Sequence, residues 1–284
     1  MSPLRESMIE AMQLRGFAPR TQSSYLSAVH RLSAYFQRSP EALSASELEA
    51  YFRYLVLERG LSPASCRLHF HALRFLYLRV LESEQLEIEI VLPKRAQRIP
   101  DLLTRSEVGR LLRAVENVKH RMMLSLCYGC GLRVSELVAV RVADIDGERS
   151  QLRIEQGKGQ KDRRVTISPS LLQALRGYWR VGRPRQWLFP SESRPRAPVT
   201  ISTAQRTYSR AKARARIEKQ GGIHALRHAF ATHQLENGLP LHRLKLELGH
   251  KDLHSTMRYL HWVPELRRGR GHADLVGLLG VGDE

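Results

Sequence analysis

The stretch HALRHAF, residues 224–230, places two histidines and an arginine within five positions of a segment whose pattern indicates a helix. In a helix, His224, Arg227 and His228 stand at i, i+3 and i+4 and share one face. Like charges in that arrangement destabilise an isolated helix, so an anion from outside the helix is expected to complete the group. The alternative at this stage is a core helix with two hydrogen-bonded histidines and a solvated arginine.

The charge of the whole chain also predicts an anionic partner. Its 284 residues are enough for two domains, and a hydrophobic content of 42% supports a real core. Lys and Arg number 46 against 28 Asp and Glu, a formal net charge of +18 that is typical of nucleic-acid binders. An anionic membrane surface is the competing partner, but no run of about 18 apolar residues and no apolar signal segment is present. We therefore predict a cytoplasmic, nucleoid-associated protein without a membrane span.

Residues 1–87 predict a helical N-terminal domain. Ser44 and Glu47 form a capping-box pattern that opens a helix through Leu57, and Ser62-Pro63 opens another that runs to about Leu81. The last helix carries a series of basic residues, namely Arg67, His69, His71, Arg74 and Arg79. A solvated face of a bundle is one interpretation of them; the other is a face that enters the DNA major groove, with Arg67, His71 and Arg74 as candidate contacts.

Residues 88–100 break the helical pattern with two prolines and a basic cluster that includes Lys94 and Arg95, which predicts a positively charged linker. Residues 101–284 then form a second domain. Thr104 opens its first helix with a capping box, and helices continue to about Val140. Alternating residues around Gly157-Lys158-Gly159 predict a small β-hairpin, and helices return from Ser170. The predicted fold is therefore mainly α with a small β element in the second domain.

The cysteines indicate neither a disulfide framework nor a metal site. The chain has three, and only Cys127 and Cys130 form a CxxC pair. No second pair at zinc-like spacing accompanies it, and the surrounding MMLSLCYGCGL is typical of a buried helix end. We predict that both thiols are structural and that the chain binds no metal.

Five separated stretches of the second domain carry chemically capable residues: GCGLRVSEL (129–137), QGKGQKDRR (156–164), HALRH (224–228), LGH (248–250) and STMRYLH (255–261). Each has a purely structural explanation. Arg133 could form a salt bridge with Glu136, Lys158 could be a solvated hairpin tip, His250 could cap a helix, and Tyr259 could pack in the core.

Together, the same residues satisfy the needs of phosphodiester cleavage, which are a nucleophile, a proton donor for the leaving oxygen and cations around the transition state. Arginine forks suit the non-bridging oxygens. Tyr259 can serve as nucleophile, with Ser255 or Thr256 capping its helix, and Lys158 can supply the proton. His224 and His250 can support the phosphate and move protons. With no carboxylate cluster for a divalent ion, a mechanism without metal or other cofactor is expected.

The order of these motifs resembles that of the tyrosine site-specific recombinase family, which includes phage integrases and Xer recombinases. The resemblance extends over nearly the whole chain and is specific, because six functional positions occur in order with family-like spacing. Those positions are Arg133, Lys158, His224, Arg227, His250 and Tyr259. It implies a SAM-like helical core-binding domain followed by an α+β catalytic domain, and the two would clamp DNA between them.

The resemblance also implies a role for each position. Arg133 and Arg227 would clamp the scissile phosphate, and Lys158 would protonate the departing 5′ oxygen. The two histidines would serve as general acid/base (His224) and as phosphate contact (His250). The tyrosine would form a 3′-phosphotyrosyl link, which conserves the bond energy so that neither ATP nor metal is needed.

Four protomers would exchange strands between two double-stranded recombination sites through a Holliday junction. A C-terminal segment at 273–279 would dock on a neighbouring protomer, or alternatively fold back on its own domain. A partner recombinase or accessory protein remains open. Two positions depart from the family pattern: Glu247 puts an acid near the LGH motif, and Cys130 replaces a small polar residue. No additional arm-binding domain is evident, which is typical of compact Xer-like or transposon-associated members.

A further basic segment spans residues 205–219, where Arg206, Arg210 and Arg214 recur every four residues. We interpret it as a phosphate-backbone contact surface, and a solvated helix as the alternative. Three alternative functions are a type IB topoisomerase, a metal-free ribonuclease that uses His224 and Lys158, and a DNA-binding accessory protein without turnover.

Overall fold

The computed structural model describes residues 3–83, 101–155, 162–260 and 262, and the chain divides into two compact units, Met1–Arg98 and Ile99–Glu284. Several predicted features lie outside the described residues. They are the basic linker with Lys94 and Arg95, the hairpin turn with Lys158, and the C-terminal segment 273–279.

The N-terminal unit is helical, as its sequence predicts. Its helices are α1 (Pro3–Leu14), α2 (Pro19–Phe36), α3 (Ala45–Leu57) and α4 (Pro63–Arg79). Both predicted helix starts are confirmed: Ser44 and Glu47 form a reciprocal capping box at α3, and the Ser62 side chain accepts the N–H of Ser65 at α4. A capping side chain satisfies a backbone donor that has no partner within the helix, which fixes where the helix begins.

Helices α2 and α4 pack together over a core that includes Leu32, Leu48 and Leu76. On α4, His71 and Arg74 are exposed one turn apart. His69 differs from the other basic residues of that helix, because it is only 4% exposed and its ring lies 6.2 Å from that of Tyr51. The sequence interpretation of His69 as part of a basic surface is therefore wrong, because it stands on the face of α4 that packs into the core.

The second unit consists mostly of helices around one small sheet, which confirms the predicted fold class. Its elements are α5 (Arg105–Arg113), α6 (Val118–Gly129), α7 (Val134–Val138), β1 (Ile145–Asp146), β2 (Gln151–Ile154), β3 (Arg163–Thr166), α8 (Pro169–Gly182), α9 (Ile201–Arg214), α10 (His224–Glu236), α11 (Leu241–Leu248) and α12 (His254–Leu260). The predicted capping box of Thr104 and Glu107 opens α5.

The sheet is antiparallel with strand order β1-β2-β3. The two predicted strands are β2 and β3, and Leu152 opposite Val165 fills the core from them. The third strand, β1, was not predicted because its two residues are too few to show an alternating pattern. Arg163 begins β3 on the same side as Val165, since residues two apart in a strand share a face.

Helix α10 is the centre of the second unit, and it packs against α5, α6, α11 and α12. Nearly every residue after the first one, His224, is buried, including Arg227 and the alanines Ala225, Ala229 and Ala231. The small side chains let neighbouring helices approach closely on several sides, and they leave Arg227 enclosed by backbone. A charged side chain in that position requires partners for its donors, which the neighbouring helix ends supply.

The CxxC pair lies at the end of α6, where both Cys127 and Cys130 are fully buried. Burial raises the pKa of each thiol to about 12. Among the described residues, no group of three or more His, Cys, Asp or Glu is placed to hold a metal ion. Within the same residues, no helix has both the length and the apolar character to cross a bilayer.

The buried cysteines give a direct test of the packing. We expect none of the three thiols of the native protein to react with Ellman's reagent at about pH 8, because the reactive thiolate is suppressed by burial. Unfolding in guanidinium should release all three. A Ser193→Cys variant, with its thiol at an exposed position, serves as the control and should react promptly in the native state. Rapid labelling of the unsubstituted native protein would contradict the packing of α4, which carries Cys66, or of the end of α6, which carries Cys127 and Cys130.

Candidate active site

Arg227 is the most deeply buried charge of the site, at 1% exposure. Its guanidinium donates to the carbonyl oxygen of Gly131 (2.7 Å), just after α6, and to that of Leu248 (2.7 Å), the last residue of α11. Burial lowers the pKa of Arg227 to about 10, so the side chain stays charged at neutral pH. Gly131 has φ +58°, and a Cβ there would lie 2.4 Å from the Phe230 ring, so the turn that aims this carbonyl requires glycine.

Three arginines from different elements converge on the C-terminal end of α11. Arg163 donates to the carbonyl oxygen of Glu247 (2.8 Å), Arg227 to that of Leu248, and Arg133 to that of Gly249 (3.2 Å). The last carbonyls of a helix have no partner inside it and carry partial negative charge, so guanidinium groups stabilise them. Because His250 follows directly, this arrangement fixes the start of the loop that carries it.

Glu136 binds the same arginines from the other side. Its side chain, 7% exposed, accepts two hydrogen bonds from the Arg163 guanidinium (both 2.8 Å). It also accepts two from Arg133, one from the guanidinium (2.6 Å) and one from the backbone N–H (2.8 Å), and it lies 3.9 Å from Arg227. Burial alone would raise the pKa of Glu136, but the hydrogen bonds and charges of Arg163 and Arg133 outweigh it and lower the pKa to about 2. The carboxylate is therefore ionised throughout the neutral range and holds the guanidinium groups in fixed positions.

The salt bridge between Arg133 and Glu136 that the sequence suggested as a structural explanation is present. This salt bridge does not remove Arg133 from the site. The Arg133 side chain is only partly buried, at 23% exposure, and it also contacts Gly249. Three guanidinium groups against one carboxylate leave this cluster with a net charge of +2. That excess makes the pocket attractive to an anion such as a phosphodiester.

His250 lies between this cluster and α12. Its Nε2 is 3.2 Å from a guanidinium nitrogen of Arg227, and its Nδ1 is 2.8 Å from the Thr256 hydroxyl oxygen. Since guanidinium only donates, Nε2 accepts, and the proton resides on Nδ1, which donates to Thr256. Burial, followed by the charges of Arg227, Arg133 and Arg258, lowers the pKa of His250 to about 4, so the ring is neutral at physiological pH.

Tyr259 lies in the last turn of α12 at 2% exposure, with its ring parallel to that of His250. Its hydroxyl is 3.1 Å from Nδ1 of His228. Burial raises the pKa of Tyr259, while the charges of Arg227, Arg258 and Arg133 act in the opposite direction. The side chain thus carries a protonated phenol at neutral pH.

The start of α12 differs from the sequence expectation. Neither Ser255 nor Thr256 is its cap, because the Asp252 carboxylate accepts the backbone N–H of Ser255 (2.8 Å). Thr256 is instead fully buried, with its hydroxyl directed at His250. An aspartate earlier in the chain is an equally good cap, and the sequence alone did not decide between them.

His224 occupies the exposed first position of α10, and its ring lies 4.5 Å from that of His228 in an edge-on arrangement. Partial burial of the ring lowers its pKa, and the charges of Arg227, Arg133 and Arg258 add to that effect. The structure therefore brings together five of the predicted site residues, and the sixth, Lys158, lies outside the described residues. The five are Arg133, His224, Arg227, His250 and Tyr259.

Four residues of this cluster were not among the predicted catalytic residues: Glu136, Arg163, His228 and Thr256. A signal for Arg163 was available, because strand alternation places it on the side of the apolar Val165. His228 shares a face with His224 in the sequence pattern, but nothing there indicates its contact with Tyr259. That contact depends on the packing of α12 on α10.

A second basic surface runs along α9. Arg206, Arg210 and Arg214 are exposed, whereas Tyr208 and Ala211 of the same helix are buried in the core. The arginines line a groove between α9 and the segment that joins α5 to α6. Arg214 pairs with Glu116 at 3.0 Å, so this arginine is partly neutralised.

Removing the charge of Glu136 tests its role in the arginine cluster. Glu136→Gln should lower the free energy of unfolding by about 3 kcal/mol, because it leaves buried guanidinium groups without their counter-charge. Since the folded-state pKa lies below the reference value of 4.5, the stability that Glu136 contributes is complete above pH 4.5 and is lost as the pH falls toward 2. The variant should lack this part of the acid sensitivity.

Urea unfolding followed by tryptophan fluorescence measures the effect, since Trp179, Trp187 and Trp262 all belong to the second unit. The control is Glu192→Gln, which breaks an ion pair with Lys119 whose carboxylate is 71% exposed. It should cost less than about 1 kcal/mol. Equal losses in the two variants would contradict the role of Glu136.

Comparison with known proteins agrees with this geometry. The model of the phage integrase family matches residues 101–265, and that of the phage integrase N-terminal SAM-like domain matches residues 4–87. A protein of Sinorhizobium fredii whose name describes it as an integrase/recombinase is 42% identical over 261 residues, which are 92% of this chain and 84% of that protein. The tyrosine recombinase XerD of Pseudomonas putida is 30% identical over 293 residues, covering 95% of this chain and 96% of the relative.

Among solved structures, the Tn1549 transposon integrase in complex with circular intermediate DNA superposes with a TM-score of 0.74 at 17% identity. The match covers 90% of this chain and 94% of that one, and it shows a shared fold. The two family models and the similarity along nearly the whole length of the relatives are decisive. The chain belongs to the phage integrase family of tyrosine recombinases.

Proposed function

We propose that this tyrosine recombinase cleaves DNA with the hydroxyl of Tyr259 and that Arg133 and Arg227 bind the scissile phosphate. The observation that carries the proposal is the convergence of a buried tyrosine hydroxyl and fixed guanidinium groups in one pocket of net positive charge. Attack by the phenol oxygen on phosphorus forms the 3′-phosphotyrosyl link and releases a 5′ hydroxyl. Rejoining reverses the step with the 5′ hydroxyl of another strand, so the bond energy is conserved and neither ATP nor metal is expected to be needed.

The arginines stabilise the transition state because their positions are set before substrate arrives. Glu136 and the carbonyl oxygens at the end of α11 orient the guanidinium groups, so little reorganisation is needed as negative charge develops on the phosphorane oxygens. A guanidinium fork can contact two non-bridging oxygens at once. Thr256 orients His250 through Nδ1. When a phosphate oxygen replaces Arg227 as the partner of Nε2, the tautomer with its proton on Nε2, whose Nδ1 accepts from the Thr256 hydroxyl, offers the phosphate a neutral donor.

Lys158 is proposed as the general acid for the 5′ oxygen, and His224 as a proton-exchanging contact at the edge of the site. Support for Lys158 comes from its place in the sequence: it precedes by five residues Arg163, which begins β3 and lies inside the arginine cluster. Support for His224 comes from its exposed position at the start of α10 and from the charges of Arg227, Arg133 and Arg258, which act on its ring.

Double-stranded recombination sites are the proposed substrate. Phosphate contacts would come from Arg206, Arg210 and Arg214 on α9, and groove or backbone contacts from the exposed face of α4. The α4 candidates, with the linker residues, are Arg67, His71, Arg74, Lys94 and Arg95. We propose domain limits of 1–87 and 101–284 around the linker 88–100, and a cytoplasmic, nucleoid-associated location.

Strand exchange requires two sites, so a tetramer on DNA that passes through a Holliday junction is the proposed assembly. The C-terminal segment would join neighbouring protomers, with a partner recombinase or accessory protein as a possible further component. The match of the SAM-like domain to residues 4–87 supports recombination over simple relaxation of supercoils.

Replacing the proposed nucleophile is the central test. Purified protein incubated in EDTA with a supercoiled plasmid that carries its flanking genomic DNA should form an SDS-resistant protein–DNA adduct. Tyr259→Phe should form none, because the phenyl ring keeps the packing but lacks the attacking oxygen. An adduct that survives in Tyr259→Phe would overturn the assignment, and an adduct that requires divalent metal would overturn the expected metal independence.

The α9 surface is tested by the salt dependence of binding. Arg210→Gln should weaken binding to any duplex about equally and reduce the slope of log K against log salt by about 1, because each phosphate contact releases counterions. Arg180→Gln removes another exposed arginine, on α8, and serves as the control, with an unchanged slope. Gel-shift titrations over a salt series provide the measurement, and an unchanged slope in Arg210→Gln would contradict the phosphate contact.

A further inference from the structure

The attacking oxygen of Tyr259 touches a histidine that the proposed catalytic set does not contain. The distance from the Tyr259 hydroxyl to Nδ1 of His228 is 3.1 Å, and the two rings are 5.7 Å apart. Within the described part of the chain, Nδ1 of His228 is the acceptor for that hydroxyl. His224, which the family resemblance makes the general acid/base, contacts the ring of His228, and among the described residues it forms no hydrogen bond with Tyr259.

The direction of this hydrogen bond follows from the charge state of the two groups. Burial lowers the pKa of His228 to about 3, and the next contributions come from the neighbouring His224 and from Arg227. A neutral imidazole has one nitrogen with a free lone pair. Because burial raises the pKa of Tyr259, the phenol keeps its proton and donates it to Nδ1, which leaves the histidine proton on Nε2.

We propose that His228 is the general base of the cleavage step and takes the phenolic proton of Tyr259 as the oxygen attacks the phosphate. The inference rests on the proposed function, since it requires Tyr259 to be the nucleophile. In the step, the bond from the Tyr259 oxygen to phosphorus forms and the bond from phosphorus to the 5′ oxygen breaks. The phenolic proton moves to His228 Nδ1, and the leaving oxygen receives its proton from the general acid, proposed as Lys158. In rejoining, His228 returns the proton to the departing phenol oxygen.

The surroundings of His228 explain how its weakly basic ring can accept a proton during the cleavage step. The groups that suppress its protonation are His224 and Arg227 on α10, Arg258 on α12, and His250 after α11. A phosphate anion bound by Arg133 and Arg227 offsets the arginine charges that His228 experiences. The ring is thus least basic in the empty site, where a charged imidazolium would repel its neighbours, and becomes more basic when substrate is present.

A matched pair of variants separates this role from simple packing. His228→Asn keeps a hydrogen-bond acceptor near the position of Nδ1 but cannot take a proton at neutral pH. The control is His233→Asn on the same helix, because His233 also places its Nδ1 against a tyrosine hydroxyl, that of Tyr128 at 2.9 Å, away from Tyr259. Both variants should bind DNA as the unsubstituted protein does, which gel shifts and tryptophan-monitored melting verify.

Adduct formation then decides the role. His228→Asn should form the covalent adduct more slowly by on the order of a hundredfold, the usual contribution of a general base. His233→Asn should stay within about threefold of the unsubstituted rate. A His228→Asn rate equally close to the unsubstituted rate would overturn the inference while leaving the proposed function intact. Absence of any adduct in the unsubstituted protein would overturn both.

Changing the acidity of the nucleophile distinguishes a general base from a residue that only positions the tyrosine ring. Only the loss of a general base should be compensated by a more acidic phenol. A ring-fluorinated tyrosine incorporated at position 259 has a more acidic phenol and depends less on a base. In the His228→Asn background it should restore the adduct rate by at least about tenfold, and in the unsubstituted background it should have little effect. A slow His228→Asn enzyme that the fluorinated tyrosine does not restore would show that His228 only orients the ring, and the general-base assignment would be wrong.

Discussion

The carboxylate of Glu136 is the interaction on which the site depends. It is nearly inaccessible to solvent, and it holds Arg133 and Arg163 by direct hydrogen bonds while lying close to Arg227. Guanidinium groups buried without a counter-charge would be strongly destabilising, because desolvation and mutual repulsion act together. One carboxylate is enough for the protein to fold with these guanidinium groups buried, but it does not neutralise their combined charge. The residual positive charge is what the pocket offers to a phosphate.

The second support of the site is backbone. Three successive carbonyl oxygens at the end of α11, those of Glu247, Leu248 and Gly249, accept from three different arginines. Gly249 has φ +63°, and a Cβ there would lie 2.8 Å from Arg163, so this helix end is compatible only with glycine. The LGH motif therefore has a structural role. It ends α11 at a point where the arginines bind the last carbonyl oxygens, and it places His250 directly after that helix end.

Much of this organisation could be predicted from sequence, and the limits have physical causes. Helix starts at Ser44, Ser62 and Thr104 were predictable because capping depends on residues a few positions apart. The pairing of Tyr259 with His228 depends on how α12 packs on α10, and no local pattern encodes that contact. His69 was misassigned for a related reason, since a histidine in a basic helix can face either solvent or core.

The position of Arg227 shows how stability and reactivity are connected in this fold. Helix α10 lies at the centre of the second unit, where apolar side chains would pack without a desolvation cost, yet it carries a charge enclosed by carbonyl oxygens and a carboxylate. Hydrogen bonds to the carbonyl oxygens at the helix ends offset the desolvation of that charge. The same hydrogen bonds fix the position of the guanidinium group. Like charges from Arg133 and Arg258 keep the empty pocket at higher energy than a neutral core would have. An incoming phosphate relieves that repulsion, and the further negative charge of a phosphorane relieves it more. The anion that HALRHAF lacks in isolation is therefore also the group whose transition state the folded pocket stabilises best.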